Sequence, residues 1–552
     1  MGREGSEQVT EGGESEDSPQ AGKRRKRGAV ALRPVLGVAL VLAGIGAVMV
    51  AGSYGTPASV EALGRNAPVN TGAGKAVDIS AHNSPTIARD PTSARNLVVA
   101  NKIDSPRYAC ALHTSSDGGV SWSQTPIPAP EGVRGECYAP DVAFGSDGTL
   151  YLTFVTLEGL GNVPGAVWLL RSRDSGETLS EPERVLGKLA FQVRLVADPD
   201  EPGRLYLTYL QASDVGLFRF TRPGNPIRTI RSDDSGQSWS KPARVSDPAR
   251  GRAVAPAPAV GPDGELYVLY LDLVDDVLDY QGGHNGLGGE PYPGSWKLVL
   301  ARSRDHGASW SESVVEDRLV PTERFIAFLP PSPSVAVDPQ SGRVYAAFQD
   351  GRLGDPDVLL WTLPGDGEDW QGPRRVNDTE RRDGTSQYLP KLSVTPEGRL
   401  DIVYYDRRDD PRNDVRTGTS FQTSFDEGAT FTASERLNDR AFDSRVGFGT
   451  ERELPDLGSR IALLSTDSRA LAVWSDTRAG TTTTLKQDLA KRVVAITEPQ
   501  GLPGPTKPLL RWGGVLLALV GAALLATWLT AAWRYRARSG ADREAREAWA
   551  PD

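Results

Sequence analysis

The sequence predicts an all-β fold, a β-propeller of four-stranded antiparallel blades, flanked by two transmembrane helices. Three observations carry this: a turn motif that recurs along the chain, a hairpin motif that alternates with it, and an uncharged apolar segment near each end.

The turn motif is clearest in RSDDSGQSWS (231–240), where Ser232, Asp234, Gly236 and Ser238 keep a two-residue spacing ahead of Trp239. Period two indicates strand, but Asp and Gly are poor strand formers, so the middle must turn. Related stretches place Asp117, Asp174, Asp305 and Asp426 in the same setting, with Trp122, Leu179, Trp310 and Phe431 in the aromatic slot. A sixth, LPGDGEDW, keeps Gly367 and Trp370 but has Gly365 in the Asp position. Chance does not produce this series.

The hairpin motif pairs two short alternating strands across a turn of D-P-x-G type. Copies begin at residues 84, 139, 192, 257, 332, 389 and 459, as in SPSVAVDPQSGRVYAAF (332–348) and LPKLSVTPEGRLDIVYY (389–405). The first six are each followed by a second hairpin closed by the Asp turn or its degenerate form. Two hairpins make one blade, so seven blades are expected, or six if one unit is an insertion. The last unit lacks a fourth strand, and GKAVDIS (74–80) is predicted to supply it. A strand from the other end of the chain then closes the ring and removes free edges.

The ends set the topology. Residues 34–52 and 512–533 carry no charge and are long enough to cross a bilayer of about 30 Å. KRRKR (23–27) precedes the first and RYRAR (534–538) follows the second, which places both termini in the cytoplasm. The chain then divides into a polar tail with a basic cluster (1–33), a span or signal anchor (34–52), a linker (53–73), an extracytoplasmic propeller (74–498), a linker (499–511), a span (512–533) and a cytoplasmic tail (534–552). A cleaved signal peptide is the alternative for the first span. Both cysteines, Cys110 and Cys137, fall in the outward-facing part and are predicted to pair.

A formal net charge of −9 and the lack of a basic stripe argue against nucleic acid. The four histidines, His82, His113, His284 and His306, show no metal spacing, and no cofactor motif or serine nucleophile elbow occurs. The expected partners are the membrane, through two helices, and a glycan or cell-surface protein.

The tandem turns resemble the Asp boxes of the BNR-repeat, sialidase-like propeller superfamily, over residues 77 to about 495. That resemblance implies that the Asp turn lies between the third and fourth strands of each blade, on the face opposite the functional centre. It also implies what a hydrolase of this class needs: an arginine triad, a Tyr nucleophile paired with Glu, and an Asp acid/base. Arg194 and Arg460 are candidates for two of the triad, with Tyr138, Tyr280 or Tyr388 and Glu136 or Glu451 as partners. The chain departs from the family at the Phe-Arg-Ile-Pro signature, since its first inner strand reads SPTIARDP.

Function is therefore sought on the face opposite the Asp turns. One slot of the inner strand, aligned across the hairpins, holds Thr86, Asp141, Arg194, Ala259, Ser334, Lys391 and Arg460. Inner strands line a propeller axis, so Asp141, Arg194, Lys391 and Arg460 are expected to form a mainly cationic floor for an anionic group. Tyr388 and the pairs Asp350/Arg352, Asp406/Arg408 and Asp476/Arg478 are candidate walls; alternatively, each pair closes its own loop by a local ion pair. The preferred reading is a membrane-tethered binding propeller for a glycan, cell-wall polymer or protein. A sialidase-type glycoside hydrolase is the alternative.

Overall fold

A computed structural model describes the chain except for residues 1–20, 54, 57, 76, 134–135, 160–162, 213–223, 278–291, 323–331, 448–456, 502–505 and 548–552. Tyr280, His284 and Glu451 lie outside the described residues. The chain forms two units, one of residues 59–497 and one of residues 1–58 with 498–552.

The larger unit is a propeller of seven sheets of four antiparallel strands, the sixth with a short fifth strand, Phe442–Asp443, on its third. Blade 1 runs from the inner strand His82–Arg89 to the outer strand Ser123–Thr125. The inner strands of blades 2 to 7 are Glu136–Phe144, Ala190–Ala197, Ala253–Val260, Ser334–Val337, Gln387–Val394 and Ala462–Thr466. Second strands are the most apolar, as in Leu266–Asp272, which is buried at every position. They pack between neighbouring blades, so they read as continuous apolar runs rather than alternating ones.

Ring closure differs from the expected one. The fourth strand of blade 7 is Ser59–Pro68, paired with Asp488–Thr497, while the described residues of 74–80 lie outside any strand. Residues 71–74 form a turn, and Ser80 N–H donates to Asp78 (2.9 Å).

Five Asp turns join third strands to fourth with one hydrogen-bond pattern. In blade 3 the Ser232 hydroxyl donates to Asp234 Oδ1 (2.8 Å) and accepts from Gly236 N–H (2.8 Å). Asp234 also accepts Ser238 N–H (2.8 Å), and Trp239 Nε1 caps the Gly236 carbonyl (3.0 Å). Ser235 and Gly236 both adopt positive φ, 62° and 84°. A side chain at Gly236 would also run into Leu169 of the preceding blade, so glycine is required twice over. Where Asp is missing, in blade 5, Trp370 Nε1 reaches instead to Ser313 of blade 4 (3.1 Å).

The first-hairpin turns share this face: Ser175 of the blade 2 Asp turn donates to Asp90 of blade 1 (2.8 Å). Cys110 and Cys137 form a disulfide with Cα atoms 5.4 Å apart. It joins the third strand of blade 1 to the inner strand of blade 2, since Cys137 lies within that strand and not in a loop.

The smaller unit holds two helices, Ala21–Ser53 and Thr506–Glu547, and a short ribbon pairing Gly55–Thr56 with Gln500–Gly501. Among the described residues one helix, over Leu509–Ala541, is long and apolar enough to cross a membrane. The apolar stretch of the first helix, Arg33–Met49, is shorter, so two spans are not established by length and composition.

Candidate functional site

Five of the seven inner strands carry a bulge just before the aligned slot. Register shifts occur between Asn83 and Thr86, Tyr138 and Asp141, Phe191 and Arg194, Val254 and Ala257, and Tyr388 and Lys391. The residue two before the slot has positive φ: Ser84 53°, Ala139 49°, Gln192 50°, Ala255 57°, Leu389 54° and Gly458 96°. Non-glycine residues rarely adopt this conformation, and its recurrence shows that the surrounding ring imposes it. The bulge also corrects one assignment. In blade 4 the slot is held by Ala257, two residues before Ala259.

The slots converge. Thr86, Asp141, Arg194, Ala257, Ser334, Lys391 and Arg460, one from each blade, line a cavity of about 310 Å³ on the axis. Asp141 is largely consumed by backbone: its oxygens accept Val142 N–H and Leu195 N–H, both at 3.1 Å. Burial pushes its carboxyl above the ordinary range, against the pull of Arg194, those two N–H groups and Lys391. Arg194 donates to Ser332 Oγ of blade 5 (2.8 Å). Arg460 bridges blades through two carbonyls, Ser84 O (3.0 Å) and Pro140 O. Lys391 has no hydrogen-bond or ion-pair partner among the described residues; burial and then the neighbouring Arg194 hold its ammonium below the usual range. Arg194 is lowered by burial, with Asp141 and Tyr138 opposing. Among the described residues the cavity thus holds three cationic groups against one carboxylate, in a setting that penalises uncompensated charge.

The other candidates lie elsewhere. Tyr388 is not a wall of the cavity: it is fully buried, with the Arg407 guanidinium over its ring (4.9 Å) and Tyr405 at 5.4 Å. The Asp-x-Arg pairs take the local alternative and do not line the cavity. Arg352 grips Asp350 through Nε (2.9 Å) and Nη2 (2.8 Å) and reaches Glu316 (2.9 Å). Arg408 pairs with Asp406 (2.6 Å) and Asp378 (2.9 Å), and Arg478 with Asp476 (2.8 Å). Each also lets its Asp accept the Arg N–H, at 2.7, 3.0 and 2.9 Å, so the motif is a loop clasp. Beside the cavity, Tyr138 packs edge-on against Tyr108 (5.8 Å) with Lys102 over its ring (5.3 Å). No sequence motif marks Tyr108 or Lys102.

No protein-family model matches the chain, and no curated protein does. Solved structures similar to it include a protein of unknown function from Dyadobacter fermentans, at 16% identity over 79% of this chain and 99% of that one, TM-score 0.44. A Hadza microbial sialidase, Hz136, is 14% identical over 76% of this chain and 66% of that one, TM-score 0.38. A PL25 ulvan lyase is 13% identical over 72% and 92%, TM-score 0.41. At these values the assignment rests on this chain's own strands: a seven-bladed propeller with a cationic axial cavity.

Proposed function

We propose that this protein is a membrane-anchored binding propeller that takes an anionic group, a carboxylate or sulfate of a glycan, cell-wall polymer or protein, into its axial cavity. The observation that supports this most is the imbalance at the ring. Arg194, Lys391 and Arg460 face a space whose one ring carboxylate, Asp141, is already engaged by backbone N–H groups. An entering anion gains charge-assisted hydrogen bonds that water in a confined cavity provides poorly. The Asp turns resemble Asp boxes and serve as blade clasps on the opposite face. The body faces the extracytoplasmic side, the C-terminal helix and the shorter N-terminal one both span the membrane, and both termini are cytoplasmic.

Titration calorimetry on the full chain in nanodiscs tests the binding claim. Glucuronate, N-acetylneuraminate and sulfated sugars should bind, and their neutral counterparts should not. Equal affinity for neutral sugars, or no binding by any anion, overturns it. A sialidase-type hydrolase is the second reading, favoured by Tyr138 standing three residues before the ring residue Asp141 on one strand, with Glu136 two residues before it. Release of sugar from a sialoside, lost in Tyr138→Phe, would establish it.

A further inference from the structure

The two terminal helices meet glycine to glycine. A Cβ added at Gly521 would lie 2.6 Å from the Gly37 carbonyl, and one at Gly514 2.7 Å from the Gly44 carbonyl. Added at Gly37, it would lie 2.9 Å from Leu525 Cγ, and at Gly44, 3.0 Å from Ala518 Cβ. The contacts run Gly37 to Gly521 and Gly44 to Gly514, so the helices are antiparallel, and seven residues separate the glycines on each. Two other glycines of the same helices, Gly46 and Gly513, meet nothing within 4 Å. Only one face of each helix is therefore stripped of side chains where the backbones touch.

The outward faces are inverted relative to a soluble helix pair. Val35, Leu42 and Met49 are 70%, 64% and 66% exposed on the first helix, and Leu516 and Leu519 are 64% and 63% exposed on the second. Small residues inside and large apolar residues outside is the pattern expected where lipid is the solvent. Lipid gives no hydrophobic drive for helix association, so close backbone approach must supply it. At 1.5 Å per residue, residues 34–52 extend about 28 Å, close to the hydrocarbon thickness.

We infer that the N-terminal helix is a retained second membrane span, docked antiparallel on the C-terminal helix through the Gly37/Gly44 and Gly514/Gly521 seam. The surface that these glycines form fits this chain's own other helix. A cleaved leader has no need to match a helix that lies beyond residue 500. The inference rests on the two-span reading above, and the experiment separates the two.

The test is oxidative cross-linking of the full chain in native membranes, using Gly44→Cys with Ala518→Cys and, as the off-seam pair, Gly46→Cys with Gly513→Cys. The native cysteines are already bonded to each other, so no other described thiol competes. The 44/518 pair should close within the chain at least tenfold more than the 46/513 pair. Gly521→Leu should be excluded from the seam, so adding it to the 44/518 pair should abolish that closure, whereas adding Gly46→Leu should not. Intact mass establishes whether the N-terminus is retained. Equal closure of the two pairs in an intact chain overturns the docking and leaves the two spans standing. A mature chain beginning near residue 53 overturns both.

Discussion

Most blades carry two repeated devices at opposite ends of their strands, and the two repeat in different ways. At the Asp turns the side chains recur: Asp117, Asp174, Asp234, Asp305 and Asp426 each accept the hydroxyl and N–H of the Ser or Thr four residues on. At the axial slot the backbone recurs, with positive φ two residues before the slot in six blades, while the side chain changes from blade to blade. A feature whose side chains are kept wherever it occurs holds blades together. A feature whose backbone is kept while its side chain varies is free to build one asymmetric site from seven equivalent positions.

The largest effect expected from this contrast is on binding. Replacing both Arg194 and Lys391 by Ala should weaken an acidic sugar by at least about 100-fold, that is, roughly 2.7 kcal/mol or more for a desolvated charge pair. The variant should still melt cooperatively, since Lys391 holds no partner among the described residues and Arg194 loses one hydrogen bond. Arg460→Ala is the contrasting case: it frees two carbonyls that join blades 7, 1 and 2 and should cost stability as well. If the double variant binds normally, variation at the slot has nothing to do with ligand.

The disulfide comes next. It ties blade 1 to blade 2 near the axial end, and replacing Cys110 and Cys137 by Ser should lower stability by about 3 kcal/mol, given the loop it closes. Chemical denaturation with and without reductant measures this. Tyr138 follows Cys137 directly, so any loss of ligand affinity on reduction would extend the axial site towards Tyr108 and Tyr138. An unchanged midpoint would show that the bridge does not constrain the chain.

These two ends were not equally legible in the sequence. The Asp turns could be read because their side chains repeat, and the blade count followed from the hairpins. The closing strand was misplaced because it could not be recognised locally. Ser59–Pro68 mixes Glu61, Arg65 and Asn66 with small apolar residues, is broken by a bulge, and pairs with residues more than 400 positions away. Residues 74–80 looked better only because they resemble other fourth strands. The slot in blade 4 was misread because Ala255-Pro256 and Ala257-Pro258 offer the same letters in two registers, and only the bulge chooses between them. The Asp-x-Arg loops fit either reading on paper; the arginine's own N–H joining its side chain on the carboxylate decides for a clasp. What Arg460 touches depends on the reach of a long side chain across two blades, which no local pattern encodes.

A smaller effect separates the clasps from the site. Asp426→Ala should cost about 1 kcal/mol, at the low end for a lost hydrogen-bonded carboxylate because water reaches this turn. Burial, which alone would raise the Asp426 carboxyl, is outweighed by hydrogen bonds from Thr430 and Ser424. A lower melting temperature with unchanged anion affinity is the expected result. Lost affinity at full stability would put function on the Asp-turn face.

The smallest effect is the sharpest, because it sets two aspartates against each other. Asp305, held by Ser309 and Ser303, is lowered to about 2, whereas burial raises Asp141. Their linkage to pH has opposite sign. Asp305 contributes stability that is full above its unfolded value near 3.8 and is lost as pH falls towards about 2. Asp141 favours the fold most when protonated, and that contribution is lost as pH rises past 3.8 and through its own higher value. Protonating Asp141 also removes the carboxylate from the cavity, so acidification from neutral pH should tighten binding of a sulfated sugar, whose own charge does not titrate there. Asp141→Asn should mimic this: a few-fold tighter binding at pH 7 and a flat pH profile, for about 1 kcal/mol of stability, because an amide accepts one of the two N–H groups and not the other. Asp305→Asn should leave affinity and its pH dependence untouched. If Asp141→Asn instead destabilises the fold as much as Arg460→Ala and leaves affinity unchanged, the ring charges serve only to balance one another, and the difference between the two ends of the blade is one of architecture alone.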